Sequence, residues 1–224
     1  YMLDQGSGSL LRFTQSGQGM IQDDTFSCTP GAYYTKDYLS SLQSEGKDSR
    51  FDGDPTQKVQ IGSFVDFVQL PSGNPDSDVA ASIDQTGRLL YCSSYSENTA
   101  QNLDIQSKGL KQVTALYFAN SNLYLLDKST SSLWVYDYYS ATGFQEEPES
   151  YFGSNAPNLS DIIDFVVYER NSFFLREDGT LAVCDFTGYK PKCSNVTELS
   201  IDDQGTKVDL TMRSVRKILS NSSP

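Results

Sequence analysis

The sequence predicts an all-β fold of four-stranded antiparallel blades, and three observations predict it. The stretch VTALYFANSNLYLLDKSTSSLWVYDY, from Val113 to Tyr138, reads as three strands of aromatic and branched residues bounded by Asn, Ser and Asp clusters. That layout recurs: aligning Phe64, Val113 and Ile162 gives two spacings of 49 residues. Internal repeats of roughly 40 to 50 residues with about four strands each are the mark of β-propeller blades. The two ends of the chain carry partial, complementary copies of the unit. The prediction is therefore a single β-propeller domain, or a propeller fragment, over 1–224, with an irregular insertion at about 30–56.

In chain order, Tyr1 to Phe13 matches the second and third strands of the unit and lacks a first. Ser16 to Asp24 is a Gly-, Gln- and Asp-rich loop, and Thr25 to Cys28 reads as a short outer strand. The segment Pro30 to Pro55 is the least regular. Tyr33, Tyr34, Tyr38 and Phe51 make it aromatic for a linker. It reads as an insertion packed on the propeller rim, or else as a binding loop, because exposed aromatics anchor interfaces. The first full repeat has strands at Phe64 to Leu70, Val79 to Ile83 and Arg88 to Cys92. The second has them at Thr114 to Ala119, Leu123 to Leu126 and Leu133 to Asp137. Trp134, in that last strand, is expected to be largely buried. The third repeat has strands at Ile162 to Tyr168, Phe173 to Leu175 and Thr180 to Phe186, and 155–161 is expected to begin a helical turn before it. Arg213 to Leu219 matches a first strand and lacks the rest. The two ends either share one blade or were cut from a longer propeller. The small ring that three units and one composite blade would make, and the start at Tyr1, favour the fragment.

Composition narrows the chemistry. A net charge of −12 opposes binding to nucleic acid, which depends on Lys and Arg neutralising phosphates, and opposes anionic membrane surfaces. The cluster Arg213, Arg216 and Lys217 is too short to reverse this and reads as a solvated strand face. The chain has no His. Ser-His-Asp and Cys-His nucleophiles, imidazole acid–base catalysis and His-containing zinc sites are thereby excluded from these residues. Neither a GxGxxG nor a Walker-type GxxxxGK[ST] loop occurs. No apolar run approaches the roughly 18 residues that span a bilayer.

Three acidic groups invite a site reading. Asn74, Asp76 and Asp78 supply oxygen ligands, but without the central Gly and terminal Glu of an EF-hand. Glu146, Glu147 and Glu149 lie in a Pro-containing loop with nothing apolar to raise a pKa, and read as solvated. Asp66 and Asp164 occupy equivalent places on first strands. They read as a repeated hydrogen-bonding device, with a carboxylate pair at a central channel as the alternative. No residue is assigned a catalytic, cofactor-binding or metal role.

The cysteines are Cys28, Cys92, Cys184 and Cys193. Cys184 and Cys193 flank a Gly- and Pro-containing loop that can bring two strand ends together. If they pair, Cys28 pairs with Cys92. With no CxxC spacing, an even count favours disulfides and an oxidising compartment; four free buried thiols are the alternative. Sequons at Asn158, Asn195 and Asn221 are compatible with secretion and do not establish it.

The combination TFSCTPG, GRLLYC, LYLLDKSTSSLWVYD and DGTLAVCDFTGYKPKC resembles a family of bacterial extracytoplasmic β-propellers. The resemblance covers nearly the whole chain. Such segments often follow a membrane helix with a metal-dependent Ser/Thr phosphatase or a kinase domain inside the cell; others are lipoproteins or secreted. The phosphatase's metal-binding Asp motifs have no counterpart here. The resemblance implies a non-catalytic sensing or binding role. The partner would be a protein or the cell surface, membrane attachment would lie outside this chain, and a partner chain could complete the propeller. The competing readings are a propeller enzyme acting on glycans through an Asp/Glu pair and a structural cell-surface component.

Overall fold

The computed structural model describes residues 1–17, 19–71, 79–94, 96–139, 143–145, 147–186, 190–196, 198–200 and 207–209. The chain opens with β1 (Met2–Asp4), β2 (Ser9–Leu11), β3 (Phe13–Ser16), β4 (Gly19–Gln22) and β5 (Gly31–Tyr33). Two helices follow, α1 (Lys36–Ser44) and α2 (Ser49–Asp52). Then come β6 (Val59–Ile61), β7 (Phe64–Leu70), β8 (Val79–Asp84), β9 (Arg88–Ser93), β10 (Thr99–Asn102), β11 (Ala115–Ala119), β12 (Asn122–Asp127) and β13 (Ser132–Tyr139). The last part holds β14 (Gly143–Phe144), β15 (Glu149–Ser150), β16 (Ile162–Tyr168), β17 (Asn171–Arg176), β18 (Leu181–Asp185), β19 (Lys192–Val196), β20 (Glu198–Ser200) and β21 (Lys207–Asp209). The protein is mostly β, in several antiparallel sheets.

Two compact units divide the chain: Tyr1–Val113 with Tyr138–Glu146, and Thr114–Asp137 with Glu147–Pro224. In the first, β7, β8, β9 and β10 form a four-stranded meander. Its second strand, β8, is buried along nearly its whole length, which is why its sequence runs apolar instead of alternating. Around this sheet stand three two-stranded pairs, β1 with β2, β3 with β4 and β5 with β6. The core gathers Leu10, Phe26, Ile61, Phe64, Ala80, Leu90 and the Cys28–Cys92 pair, with Tyr1 edge-on to Phe26 at 5.4 Å.

In the second unit, β16 to β19 form another four-stranded meander, and β11 to β13 form a three-stranded one to which β15 adds along Trp134 and Val135. The hairpin from β11 to β12 turns on Asn120 and Ser121, both at positive φ, as a two-residue loop must be to match the strand twist. Phe165, Phe174, Phe152, Phe186 and Tyr151 fill the core, with Phe165 stacked on Phe174 at 6.1 Å and Tyr151 edge-on to Phe186 at 4.8 Å.

The three predicted strands of each repeat form at the expected places, and β1 and β2 form an antiparallel pair within the segment Tyr1 to Phe13. Trp134 is largely but not fully buried, opposite Ser150 of the short polar β15, and Tyr136 is the fully buried aromatic of that strand. Three expectations need correction. Thr25 to Cys28 is no strand; Cys28 makes one isolated bridge to Leu10. The turn expected over 155–161 lies earlier, as a 3-10 turn at Gly153–Asn155. The insertion at 30–56 is not irregular but carries both helices. Thr35 caps α1 by accepting from the Tyr38 N–H at 3.3 Å, and Asp48 caps α2 by accepting from the Arg50 N–H at 2.9 Å. A nine-residue helix is marginal alone; burial of Leu42 fixes it. The composite blade proposed for Arg213 to Leu219 lies outside the described residues.

A repeated device closes the hairpin after each second strand. An Asp accepts from the N–H two residues on, in an Asx turn: Asp4 from Gly6 at 3.0 Å, Asp84 from Thr86 at 2.8 Å, Asp127 from Ser129 at 2.9 Å, and Asp178 from Thr180 at 2.8 Å. Asp84 is buried and does more. It also accepts from the Arg88 N–H at 3.1 Å and the Gly62 N–H at 2.8 Å. Asp84→Ala strips three backbone donors of their acceptor and is expected to cost about 3 kcal/mol in urea unfolding. Asp178→Ala, at an exposed turn, should cost clearly less; equal losses would refute the ranking.

Both disulfides form, Cys28–Cys92 and Cys184–Cys193. The first closes a sequence separation of 64 inside the core, the second a separation of 9 across neighbouring positions of β18 and β19. Chain entropy alone predicts a loss of about 4 kcal/mol on removing Cys28–Cys92 by double substitution with Ala, against about 2.7 kcal/mol for Cys184–Cys193. Chemical denaturation of the two double variants checks the order, and a larger loss for the short loop would overturn it.

Candidate functional site

The first unit contains a concavity beneath α1. Strand β10 is the edge of its sheet, and a bare edge invites pairing with other chains. Here the segment entering α1 covers it: the Ala100 N–H donates to the Tyr34 carbonyl at 2.8 Å, and Thr35 forms a parallel bridge to Ala100. Because a helix follows, the cover stands off the sheet beyond that point. A cleft of about 700 Å³ opens between α1, the ends of β9 and β10, and the residues Tyr138 and Gly143. Its size lies within the range that takes drug-sized ligands.

The floor of the cleft is a closed set of neutral hydrogen bonds. The Tyr91 hydroxyl donates to the Gln101 side-chain carbonyl. The Gln101 amide donates to the Phe144 carbonyl at 2.6 Å. The Phe144 N–H is shared between the Tyr91 hydroxyl at 3.4 Å and the Gln101 side-chain oxygen at 3.3 Å. Tyr91 stacks on Phe144 with centroids 6.1 Å apart, and Tyr138 tilts against the same ring at 5.0 Å. Burial pushes the Tyr91 phenol far above its ordinary range. Gly143 is a geometric requirement of this floor. It sits at φ +87°, and a Cβ there would fall 2.8 Å from the Tyr91 hydroxyl and 2.9 Å from the Gln101 oxygen.

Charge collects at the mouth and is balanced there. Lys47 pairs with Glu45 at 2.6 Å, and Glu97 accepts from the Ser49 hydroxyl at 3.1 Å. Beside the mouth, the Arg50 guanidinium and its backbone N–H hold the Asp48 carboxyl down at about 2. Among the described residues no group of three or more His, Cys, Asp or Glu is placed to hold a metal ion, and no helix is long and apolar enough to cross a membrane.

The residues singled out in the sequence fall mostly elsewhere. Asp66 and Asp164 are both buried, each just after a β-bulge in the first strand of its sheet. Each side chain accepts from the next residue's N–H, at 2.9 and 3.0 Å. This is a matched structural device, since a bulge frees a backbone donor that needs a partner. Asp66 lies in the first unit and Asp164 in the second. Glu147 and Glu149 are exposed. Of the insertion's aromatics, Tyr34 is buried and stacks near Tyr38 at 5.1 Å, and the Tyr38 hydroxyl accepts from the Asp54 N–H at 2.8 Å. Phe51 alone of the four is fully displayed, at 83% exposure. Asn158 and Asn195 are exposed. Glu146, the set Asn74, Asp76 and Asp78, the cluster Arg213, Arg216 and Lys217, and Asn221 lie outside the described residues.

Sequence reasoning missed Tyr91, Gln101 and Gly143. Tyr91 sits in a strand whose apolar run explained it as packing, and the Gln101 and Gly143 partners come from distant segments. Two intramolecular disulfides point to an oxidising setting. A scan against family models gives no match, and a comparison with curated proteins gives none either.

Alkaline titration tests the floor. Burial raises the phenols of Tyr91, far above the ordinary range, and of Tyr151, to about 12. A raised folded-state value means the stabilisation is complete below the ordinary tyrosine value of 10.0 and is lost as pH rises through the folded value. Phenolate absorbance should therefore show a delayed group of tyrosines that appears with unfolding. In Gly143→Ala the delayed group should shrink. An identical titration in that variant would contradict the assignment.

Proposed function

We propose that this chain supplies blades of an extracytoplasmic β-propeller and acts as a non-catalytic module that binds a protein, a ligand or cell-surface material. The observation that carries the reading is the cleft beneath α1. Its floor joins a neutral polar network and a position that only glycine fits into a concave surface, and fully satisfied polar networks rigidify a fold and fix a unique arrangement. The propeller architecture is supported by the 49-residue recurrence of sequential antiparallel meanders. The extracytoplasmic placement is supported by the disulfides, and a partner other than nucleic acid by the net charge of −12. Membrane attachment, where present, belongs to a segment outside this chain. The glycan-enzyme reading is weakened by Asp66 and Asp164, whose side chains satisfy the backbone at matching bulges.

The test uses the full-length protein. Labelling of intact cells with a membrane-impermeant reagent, electron microscopy of the purified protein, and a glycan-hydrolysis assay are run together. Labelling from outside, a closed ring of blades and no hydrolysis are expected. Four free thiols with labelling only after lysis would overturn the compartment. Hydrolysis abolished by Asp66→Asn would overturn the non-catalytic reading.

A further inference from the structure

We infer that the cleft beneath α1 takes a neutral, hydroxyl-rich ring compound, a short oligosaccharide, and this rests on reading the cleft as the binding site. The chemistry of the walls carries the inference. Tyr91 and Tyr138 bring aromatic surface to the cleft, and aromatic faces receive the C–H faces of rings that are apolar on one side and wet at the rim. Gln101, Asn102 and Thr99 line it as well. The Gln101 oxygen and one of its N–H groups are held by Tyr91 and Phe144, and the Asn102 oxygen accepts from the Asp104 N–H at 3.1 Å, so what faces a ligand is the remaining amide N–H groups, which donate, and the Thr99 hydroxyl, which donates and accepts. A sugar hydroxyl, itself both donor and acceptor, is the group that such a lining pairs most completely.

Charge argues the same way. Lys36 and Lys47 line the cleft together with Asp37 and Glu97, so its charged lining sums to zero, and Lys47 is engaged by Glu45 at 2.6 Å. The lining therefore carries no net charge to favour an anionic or a cationic ligand. Inside, desolvation pushes the Tyr91 phenol above its ordinary range, so it stays neutral through the physiological range, and its hydroxyl is bonded to Gln101.

Backbone geometry disfavours the main competitor, an extended peptide. A peptide would bind a sheet edge by adding a strand. On β10 the Ala100 N–H already donates to the Tyr34 carbonyl, and Thr35 occupies the neighbouring bridge. The edge is closed at its centre, and what remains is a side-chain-lined cavity instead of a ladder.

The experiment is isothermal titration calorimetry on the full chain with three probes: neutral saccharides (cellobiose, chitobiose, maltotriose), a capped uncharged tripeptide, and digalacturonate. Thr99→Val, which removes one hydroxyl with little change of shape, and Gly143→Ala, which disturbs the floor, are measured beside wild type, with circular dichroism as the check on folding. At least one neutral saccharide should bind, with an affinity insensitive to salt because no charge pairing is involved. Thr99→Val should weaken it roughly five- to tenfold, the scale of one lost hydrogen bond. Gly143→Ala should weaken it at least as much. Binding of the tripeptide or of digalacturonate in preference to every neutral sugar, lost in the same variants, would overturn the saccharide class while leaving the cleft as the site. Saccharide binding unchanged in both folded variants would overturn the cleft itself. Binding by none of the probes would overturn the inference.

Discussion

The turn from Asp84 to Arg88 is the point on which the first unit depends. Its buried carboxylate accepts from Gly62, Thr86 and Arg88. Its backbone carbonyls at Gln85 and Gly87 accept from Val113 and Leu103. Three separate segments are thereby fixed to five residues: the approach to β7, the exit from β10 and the lead into the next repeat. The close approach needs Gly87, which sits at φ +81° with the Ile105 side chain where a Cβ would be. The second unit solves the same problem with other atoms. Thr114 donates to the Leu126 carbonyl just before the Asp127 turn, and the Asp161 carbonyl accepts from Glu177 while its carboxylate pairs with Arg176. In each repeat the residue entering the first strand is tied to the hairpin between the second and third.

Two different cores grow on this frame. The first unit packs few aromatics and places a disulfide among them, so that Cys28 and Cys92 are essentially inaccessible. The second is an aromatic stack in which Cys184 is buried while Cys193 lies at the exposed strand. The cross-link in the first unit joins the segment just ahead of the helices to the central sheet. The helical insertion is held besides by the β5–β6 pairing at its two ends, the burial of Tyr34 and Leu42, and the Tyr34–Ala100 bond. Surface ion pairs such as Lys47–Glu45 contribute little by themselves.

Protection of an edge and construction of a cleft are one event in this molecule. The chain covers β10 with a single bridged residue and then turns into α1, so the edge is shielded at Ala100 while a cavity is left beyond it. The floor of that cavity comes from Tyr91 on a strand, Gln101 on its neighbour and a glycine-dependent corner at Gly143. Each group is locked by another, which leaves the surface preformed. A preformed neutral surface favours ligands recognised by shape and hydroxyl pairing over those recognised by charge.

Strand positions, the repeat and the Asp-centred turns were legible in the sequence because each is written locally. Apolar runs ended by Asp-x-Thr or Asp-x-Ser fix a hairpin whatever surrounds it, and the equivalence of Asp66 and Asp164 followed from the period. The cysteine pairing was legible because an even count and one short loop left little choice. The helices of the insertion were not, because Tyr38, Leu39 and Leu42 make too weak an apolar stripe among the polar residues of α1. Trp134 and Tyr136 lie two apart on one strand, so the alternation of the sequence does not tell which of them is the fully buried one; it is Tyr136. The cleft belongs wholly to tertiary structure. Tyr91, Gln101 and Gly143 share no motif and no period, and what joins them is a set of hydrogen bonds between groups that become neighbours only after the sheet has formed.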